Sequence, residues 1–65
     1  MKILLNGETV ATDAKTLDEL LARLGFAGAK IATAVNGSFV AAGKRPATPL
    51  AEADEIEIVA PRQGG

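Results

Sequence analysis

The sequence contains no cysteine, histidine, tryptophan or tyrosine. Without cysteine there are no disulfides, thiolate nucleophiles or zinc–thiolate sites. Without histidine the chain lacks the usual general base and the commonest metal ligand. The chain has seven basic and eight acidic residues, and few aromatic side chains on which bases could stack. We therefore expect no nucleic-acid partner. These absences exclude disulfide, thiolate and histidine-based chemistry.

The chain is short, and its apolar content is less bulky than the total suggests. Of its 65 residues 48% are hydrophobic, but thirteen of these are alanine and eighteen are bulky. Such a set fills one small core and leaves little for a deep pocket, so we do not expect a self-contained enzyme. The apolar run at residues 1–6 is too short for a signal peptide or membrane span. We therefore expect a cytoplasmic protein with no membrane association.

Two Asn-Gly pairs, Asn6-Gly7 and Asn36-Gly37, predict two β-hairpins. Asn-Gly favours the type I′ turn, in which both central residues take positive φ. The strands predicted around these turns are 2–6 with 8–12 and 31–36 with 38–40.

One amphipathic helix is predicted to begin after Thr16 and to end before Gly25. Thr16 as N-cap and Glu19 three residues later form a capping box. A glycine directly after the last periodic residue is a common helix terminator, and Phe26 is placed to fold back on the helix end. The spacing i, i+3, i+4, i+7 predicts one apolar stripe in the core, formed by Leu17, Leu20, Leu21 and Leu24.

The segment 41–53 carries Gly43, Pro46 and Pro49, which exclude a long helix or a central strand. We predict a single helical turn at residues 48–50, with Leu50 in the core. A last strand follows at 55–59. Because one helix covers only one face of a small sheet, the sequence predicts an α+β fold with a four- or five-stranded mixed sheet.

Strand alternation predicts which side chains face the helix and which face water. The inward set is Ile3, Leu5, Ile56 and Ile58. We expect Leu4 and Val59 to form an apolar pair on the outer face, and Lys44 and Arg45 to be solvated. Four acidic residues are interpreted as a solvated or partner-docking cluster rather than a metal site. They are Glu52, Asp54, Glu55 and Glu57.

The sequence ends in Gly64-Gly65, which by itself has two readings. It is either an incidental end or a slender tail that threads a narrow channel, since glycine carries no side chain. In the second reading the chemistry falls on the C-terminal carboxylate, which is ionised at neutral pH and must first be activated, most economically as an acyl-adenylate made with ATP.

In order and spacing these segments resemble the ThiS sulfur-carrier family, which has the ubiquitin-like β-grasp fold. The resemblance rests on the opening Ile3 to Gly7, the helix start Thr16 to Leu21, Ala34 to Gly37, Asp54 to Val59, and the two terminal glycines. It implies a β-grasp domain at 1–59 and a flexible tail at 60–65. Two departures are Ala53, where the family has glycine, and the lack of tryptophan in 41–49. We expect the turn at Ala53 to relax and thereby avoid positive φ.

The resemblance implies that Gly65 carries sulfur as a thiocarboxylate for thiazole formation in thiamine biosynthesis, with Gly64 as the neck beside it. It implies three partners, namely a ThiF-like adenylating enzyme, a ThiG-like thiazole synthase and a sulfur donor protein. We expect the chain to be a monomer alone and to bind no cofactor or metal. It lacks a Walker-type phosphate loop, so ATP and Mg²⁺ belong to the adenylating partner. The alternatives are a MoaD-like carrier for molybdopterin, a ubiquitin-like modifier, or a non-covalent β-grasp binding module.

Overall fold

The computed structural model describes residues 1–60, which form a mixed five-stranded sheet with one α-helix. The strands are β1 (Lys2–Leu5), β2 (Glu8–Ala11), β3 (Ala32–Val35), β4 (Ser38–Val40) and β5 (Glu55–Val59). Their order in the sheet is β2-β1-β5-β3-β4, with β1 parallel to β5 and the other neighbours antiparallel. The helix α1 (Leu17–Arg23) packs on one face. The predicted α+β class is confirmed.

Both predicted hairpin turns are present, with the backbone conformation that the Asn-Gly pairs require. Asn6 and Gly7 have φ of 49° and 84°, and Asn36 and Gly37 have φ of 50° and 85°. Positive φ at both central residues is the signature of the type I′ turn, whose twist matches the flanking strands. The turns therefore set the register of both hairpins.

The helix begins as predicted, but only one of the two capping-box bonds forms. Thr16 Oγ1 accepts a hydrogen bond from the Glu19 backbone N–H at 3.2 Å, as an N-cap should. The Glu19 carboxylate instead accepts from Arg23 Nη2 at 2.8 Å, one turn further along the helix. Glu19 therefore stabilises α1 through an i,i+4 ion pair rather than by reaching back to Thr16.

The helix ends in a Schellman motif built around Gly25. Gly25 has φ of 86°, its N–H donates to the Ala22 carbonyl, and the Phe26 N–H donates to the Leu21 carbonyl at 2.8 Å. Phe26 packs against the core, as predicted. Leu24 was predicted to complete the buried stripe, and that prediction is wrong, since its side chain is 38% exposed. It is the C-cap residue, and the turn at Gly25 brings Phe26 to the core instead.

The core lies between α1 and the inner face of the sheet. Its buried members are Ile3, Ala14, Leu17, Leu20, Leu21, Ile56 and Ile58. Leu5 and Leu50 pack against this cluster while half-buried, so the predicted inward set is confirmed. Each fully buried aliphatic side chain contributes about 1.5–3 kcal/mol of burial free energy, which makes this cluster the main source of stability.

The segment between β4 and β5 differs from its prediction. A 3₁₀ helix spans Ala42–Ala47, and Thr48 is extended because a residue before proline avoids the helical region. The helical turn predicted at 48–50 is therefore wrong. This stretch pairs instead with the start of α1, where the Thr48 carbonyl accepts from the Leu17 N–H at 2.9 Å. That bond satisfies one of the helix-terminal donors.

Arg45 has a structural role, contrary to the expectation of a solvated side chain. Its Nη2 donates to the Ile31 carbonyl at 2.8 Å, and its Nε donates to Thr33 Oγ1 at 3.0 Å. Thr33 is buried, and its hydroxyl donates in turn to the Val40 carbonyl at 2.7 Å. The guanidinium therefore ties the 3₁₀ helix to β3.

Ala53, just before β5, lies in the left-handed region with φ of 69°. The expected relaxation of this turn is therefore wrong. The Ala53 N–H donates to the Lys2 carbonyl at 2.8 Å, and the Asp54 N–H donates to the Ala51 carbonyl at 3.1 Å. These bonds fix the turn, so alanine occupies a conformation that glycine takes without strain.

β5 ends at Val59, and Ala60 is the last residue described. The predicted tail, 60–65, therefore lies outside the described residues except for Ala60, and the division into domain and tail stays a prediction. Within residues 1–60, no helix is long and apolar enough to cross a membrane.

Replacing Ala53 by glycine should stabilise the protein. Relief of the left-handed strain outweighs the added entropy of the unfolded chain, so Ala53→Gly should raise the free energy of unfolding by about 0.5–1 kcal/mol. Urea denaturation measures this change. Ala51→Gly, in the same loop but without positive φ, should lower it by about 0.4–1 kcal/mol. A decrease in both variants would contradict the strain assigned to Ala53.

Candidate functional site

The predicted site residues, Gly64 and Gly65, lie outside the described residues. What the structure describes is the strand that leads to them. β5 lies in the middle of the sheet between β1 and β3, and its last residue, Val59, is paired with Ala32 of β3. The described part of the chain therefore ends just after a central strand. The candidate site is this end of β5, which we call the exit, together with the surface around it.

The Asn6 side chain holds the exit end of β5. Asn6 Oδ1 accepts from the Ile58 N–H at 2.9 Å, and Asn6 Nδ2 donates to the Ile58 carbonyl at 3.2 Å. One amide thus satisfies both backbone groups of Ile58 that face β1. The sequence had assigned Asn6 only a turn conformation and missed this bridge, which spans 52 positions of the chain.

The Asn36 side chain holds the opposite end of the same strand. Asn36 Oδ1 accepts from the Glu55 N–H at 2.9 Å, and Asn36 Nδ2 donates to Asp54 Oδ1 at 3.0 Å. The two type I′ turns therefore place equivalent amides at the two ends of β5. Both contacts were missed from the sequence, because the Asn-Gly pattern accounts fully for the turn and carries no sign of a distant partner.

The outer face of the sheet carries an exposed apolar surface beside the exit. Phe39 is 72% exposed and Val59 is 61% exposed. Strand pairing places Phe39 opposite Ala34 and Val59 opposite Ala32, and it places Glu57 beside Ala34. We call these five residues the open-face patch. The patch includes Val59, the last residue of β5.

The expected apolar pair of Leu4 and Val59 does not form. Strand alternation places both on the outer face, but Leu4 is half-buried and pairs with Glu55, at the end of β5 far from Val59. Because β1 runs parallel to β5 and stops early, Leu4 cannot reach the exit. Val59 and Phe39 instead line the same shallow depression of the outer face, on opposite sides of β3. The sequence signal for Phe39 was the alternation in β4, where half-buried Val40 points inward.

The four acidic residues of the predicted cluster divide into two pairs. Glu52 accepts from the Lys2 N–H through both carboxylate oxygens, at 3.1 and 3.2 Å, and Asp54 accepts from the Ala51 N–H at 2.8 Å. These two hold the backbone before β5. Glu55 and Glu57 are exposed on the outer face. Within residues 1–60, no group of three or more potential ligands is placed to hold a metal ion.

The surface around the exit combines the exposed side chains of Phe39 and Val59 with the carboxylate of Glu57. The fold is that of a β-grasp protein in which the central strand β5 carries the last described residues.

Three comparisons with known proteins agree with this description. The model of the ThiS family matches residues 3–65, which include Gly64 and Gly65. The crystal structure of a thiamine biosynthesis protein (ThiS) from Geobacter metallireducens superimposes with a TM-score of 0.81. It is 29% identical, and the match covers 100% of both chains. A thiazole synthase from Magnetococcus marinus is 47% identical over 60 residues, which are 91% of this chain but 18% of that protein.

The chain therefore has the ubiquitin-like β-grasp fold of a small sulfur carrier. It belongs to the ThiS family, as the family model and the solved structure show. The chain spans about a fifth of the length of the curated thiazole synthase that it matches.

Phe39 should contribute little to folding despite its size. Because its side chain is mostly in water, Phe39→Thr should change the free energy of unfolding by no more than about 0.5 kcal/mol. Ile56→Ala, which removes a buried side chain of the central strand β5, should lower it by about 2–5 kcal/mol. Chemical denaturation of the two variants makes the comparison. A loss of several kcal/mol in Phe39→Thr would show that Phe39 belongs to the folding core.

Proposed function

We propose that this protein carries sulfur for thiazole formation in thiamine biosynthesis, as a thiocarboxylate on the carbonyl of Gly65. The observation that supports the proposal most is the family match, which extends through both terminal glycines. The absence of cysteine from the chain leaves no side-chain thiol for the cargo. The protein is then a co-substrate on which partner enzymes act.

The chemistry requires activation before sulfur is added. A carboxylate oxygen of Gly65 attacks the α-phosphorus of ATP, which releases pyrophosphate and leaves an acyl-adenylate. A hydrosulfide equivalent from the sulfur donor protein then attacks the carbonyl carbon, so that the C–S bond forms as AMP leaves. ATP and Mg²⁺ are bound by a ThiF-like adenylating enzyme, because this chain lacks a phosphate-binding loop. Gly64 is the slender neck that lets Gly65 enter the enzyme.

A thiazole synthase is proposed as the acceptor of the sulfur. The Magnetococcus marinus protein bears that name and contains a stretch of 60 residues that is 47% identical to this chain. A carrier-like stretch within a much longer synthase supports a direct functional interaction between carrier and synthase, since covalent linkage raises the effective concentration of each for the other. We propose the same relation between separate proteins here.

The open-face patch is proposed to dock the adenylating enzyme. Phe39 and Val59 offer the exposed apolar area, and Glu55 and Glu57 lie on the same face. A partner with an apolar centre and a basic rim is complementary to this arrangement. From Ala60, the five following residues span at most about 18 Å, which sets how far the docking surface can lie from the adenylation centre.

Formation of the thiocarboxylate can be measured directly. After incubation with ATP, Mg²⁺, a ThiF-like enzyme and a sulfur source, intact mass should rise by about 16 Da, the difference between sulfur and oxygen. Gly65→Val and a variant with one residue added after Gly65 should fold normally and show no increase. A mass increase in either variant, or none in the natural chain with an active enzyme, would contradict the proposal.

The same reaction separates the alternative functions. Isopeptide conjugates to lysines would indicate a ubiquitin-like modifier, and transfer of sulfur to a molybdopterin precursor would indicate a MoaD-like carrier. A non-covalent binding module would keep its function after deletion of residues 64–65.

Docking through the open-face patch should appear in the kinetics of adenylation. Phe39→Thr should raise the KM for the carrier about tenfold with little change in kcat, because removing a central aromatic anchor costs 1–2 kcal/mol or more. Leu24→Gln removes a partly exposed leucine from the helix side and should leave KM unchanged. Carrier-dependent pyrophosphate exchange measures both. Equal KM values for the two variants would contradict the assigned docking face.

A further inference from the structure

We propose that Asn6 is a positioning residue for adenylation, because its side chain fixes the point at which the chain leaves the sheet. The inference rests on the proposed function, since it concerns how efficiently Gly65 is delivered. It concerns the amide of Asn6, whereas the turn at Asn6-Gly7 needs only the positive φ that glycine also adopts.

The Asn6 amide replaces a missing stretch of β1. The parallel pairing of β1 with β5 proceeds from Leu4, whose N–H donates to the Asp54 carbonyl, to Asn6, whose N–H donates to the Ile56 carbonyl. The next residue of β5 whose backbone faces β1 is Ile58, but β1 has ended and the chain turns away at Asn6. The Asn6 side chain reaches Ile58 and makes both hydrogen bonds to its backbone, at 2.9 and 3.2 Å. β5 therefore stays paired on both sides up to Ile58.

Loss of this amide should free the last part of β5 on its β1 side. The N–H and carbonyl of Ile58 would then have no partner there, while pairing to β3 remains. Such half-paired ends fray, and the anchor of the tail moves back from Ile58 towards Ile56. Each freed residue must be fixed in one conformation again when the chain binds to the adenylating enzyme. This loss of conformational entropy lowers the rate of adenylation by about fivefold to thirtyfold per residue.

Asn36 provides a matched control within the same chain. It occupies the same position of the same turn type, with φ of 50° against 49° for Asn6. Its amide also bonds to β5, but at Glu55 and Asp54, the end away from the exit. Asn36→Gly therefore removes the same side chain from the same turn position, with one hydrogen bond to a backbone N–H and one to a carboxylate, without touching the exit. A general loss of rigidity would affect both variants alike.

The test compares Asn6→Gly, Asn6→Asp and Asn36→Gly in carrier-dependent pyrophosphate exchange, at a temperature at which all are folded. Asn6→Gly should lower kcat at least about fivefold with KM within twofold, because the docking face is intact. Asn36→Gly should keep both values within twofold. Asn6→Asp retains an acceptor for the Ile58 N–H and should recover part of kcat. It also provides the comparison if Asn6→Gly does not fold.

Amide hydrogen exchange gives a second readout that needs no enzyme. In Asn6→Gly the Ile58 amide should exchange at least about tenfold faster than in the natural chain, and in Asn36→Gly it should not. Equal kcat values for Asn6→Gly and Asn36→Gly, or unchanged exchange at Ile58, would overturn the inference. Failure of the natural chain to support pyrophosphate exchange would overturn the proposed function instead, and the exchange rate at Ile58 would still decide whether Asn6 holds the exit.

Discussion

The pairing of β5 with both of its neighbours is the constraint on which the rest of the structure depends. The strand lies between parallel β1 and antiparallel β3. Its inward residues, Ile56 and Ile58, join the core beneath α1, while Glu57 and Val59 face outward. One strand thus connects the core, the open-face patch and the exit of the chain. A substitution that disturbs β5 is therefore expected to change both the free energy of unfolding and the position of the chain at the exit.

The composition and the fold agree on which steps of the proposed reaction belong to this protein and which to its partner enzyme. A chain without cysteine or histidine has few means of activating a carboxylate or holding sulfur on a side chain. A small β-grasp domain can still offer a rigid surface and a defined exit, and membership of the ThiS family fits that role. In our account the partner enzyme supplies ATP binding and bond-making, and this protein supplies recognition and placement.

The sequence predicted the parts of the structure that local pattern determines. The Asn-Gly turns, the N-cap and the helix-ending glycine follow from neighbouring residues alone. The contacts of Asn6 and Arg45 were missed because their partners lie far along the chain, and Phe39 was recognised only as part of a strand. Ala53 was misjudged because a hydrogen bond to distant Lys2 holds its turn. Leu24 was misjudged because helical periodicity does not reveal that the turn at Gly25 packs Phe26 against the core in its place. Of the site itself, the sequence named the terminal glycines, which the described residues do not include.

The central claim is that the sulfur resides on Gly65, and tryptic digestion of the sulfurated protein can locate it. Cleavage after Arg62 releases the peptide Gln63-Gly64-Gly65, the last three residues of the chain. Our account predicts that this peptide alone gains about 16 Da, with all other peptides unchanged. A mass gain found in any peptide from residues 1–62, with the C-terminal peptide unmodified, would contradict it.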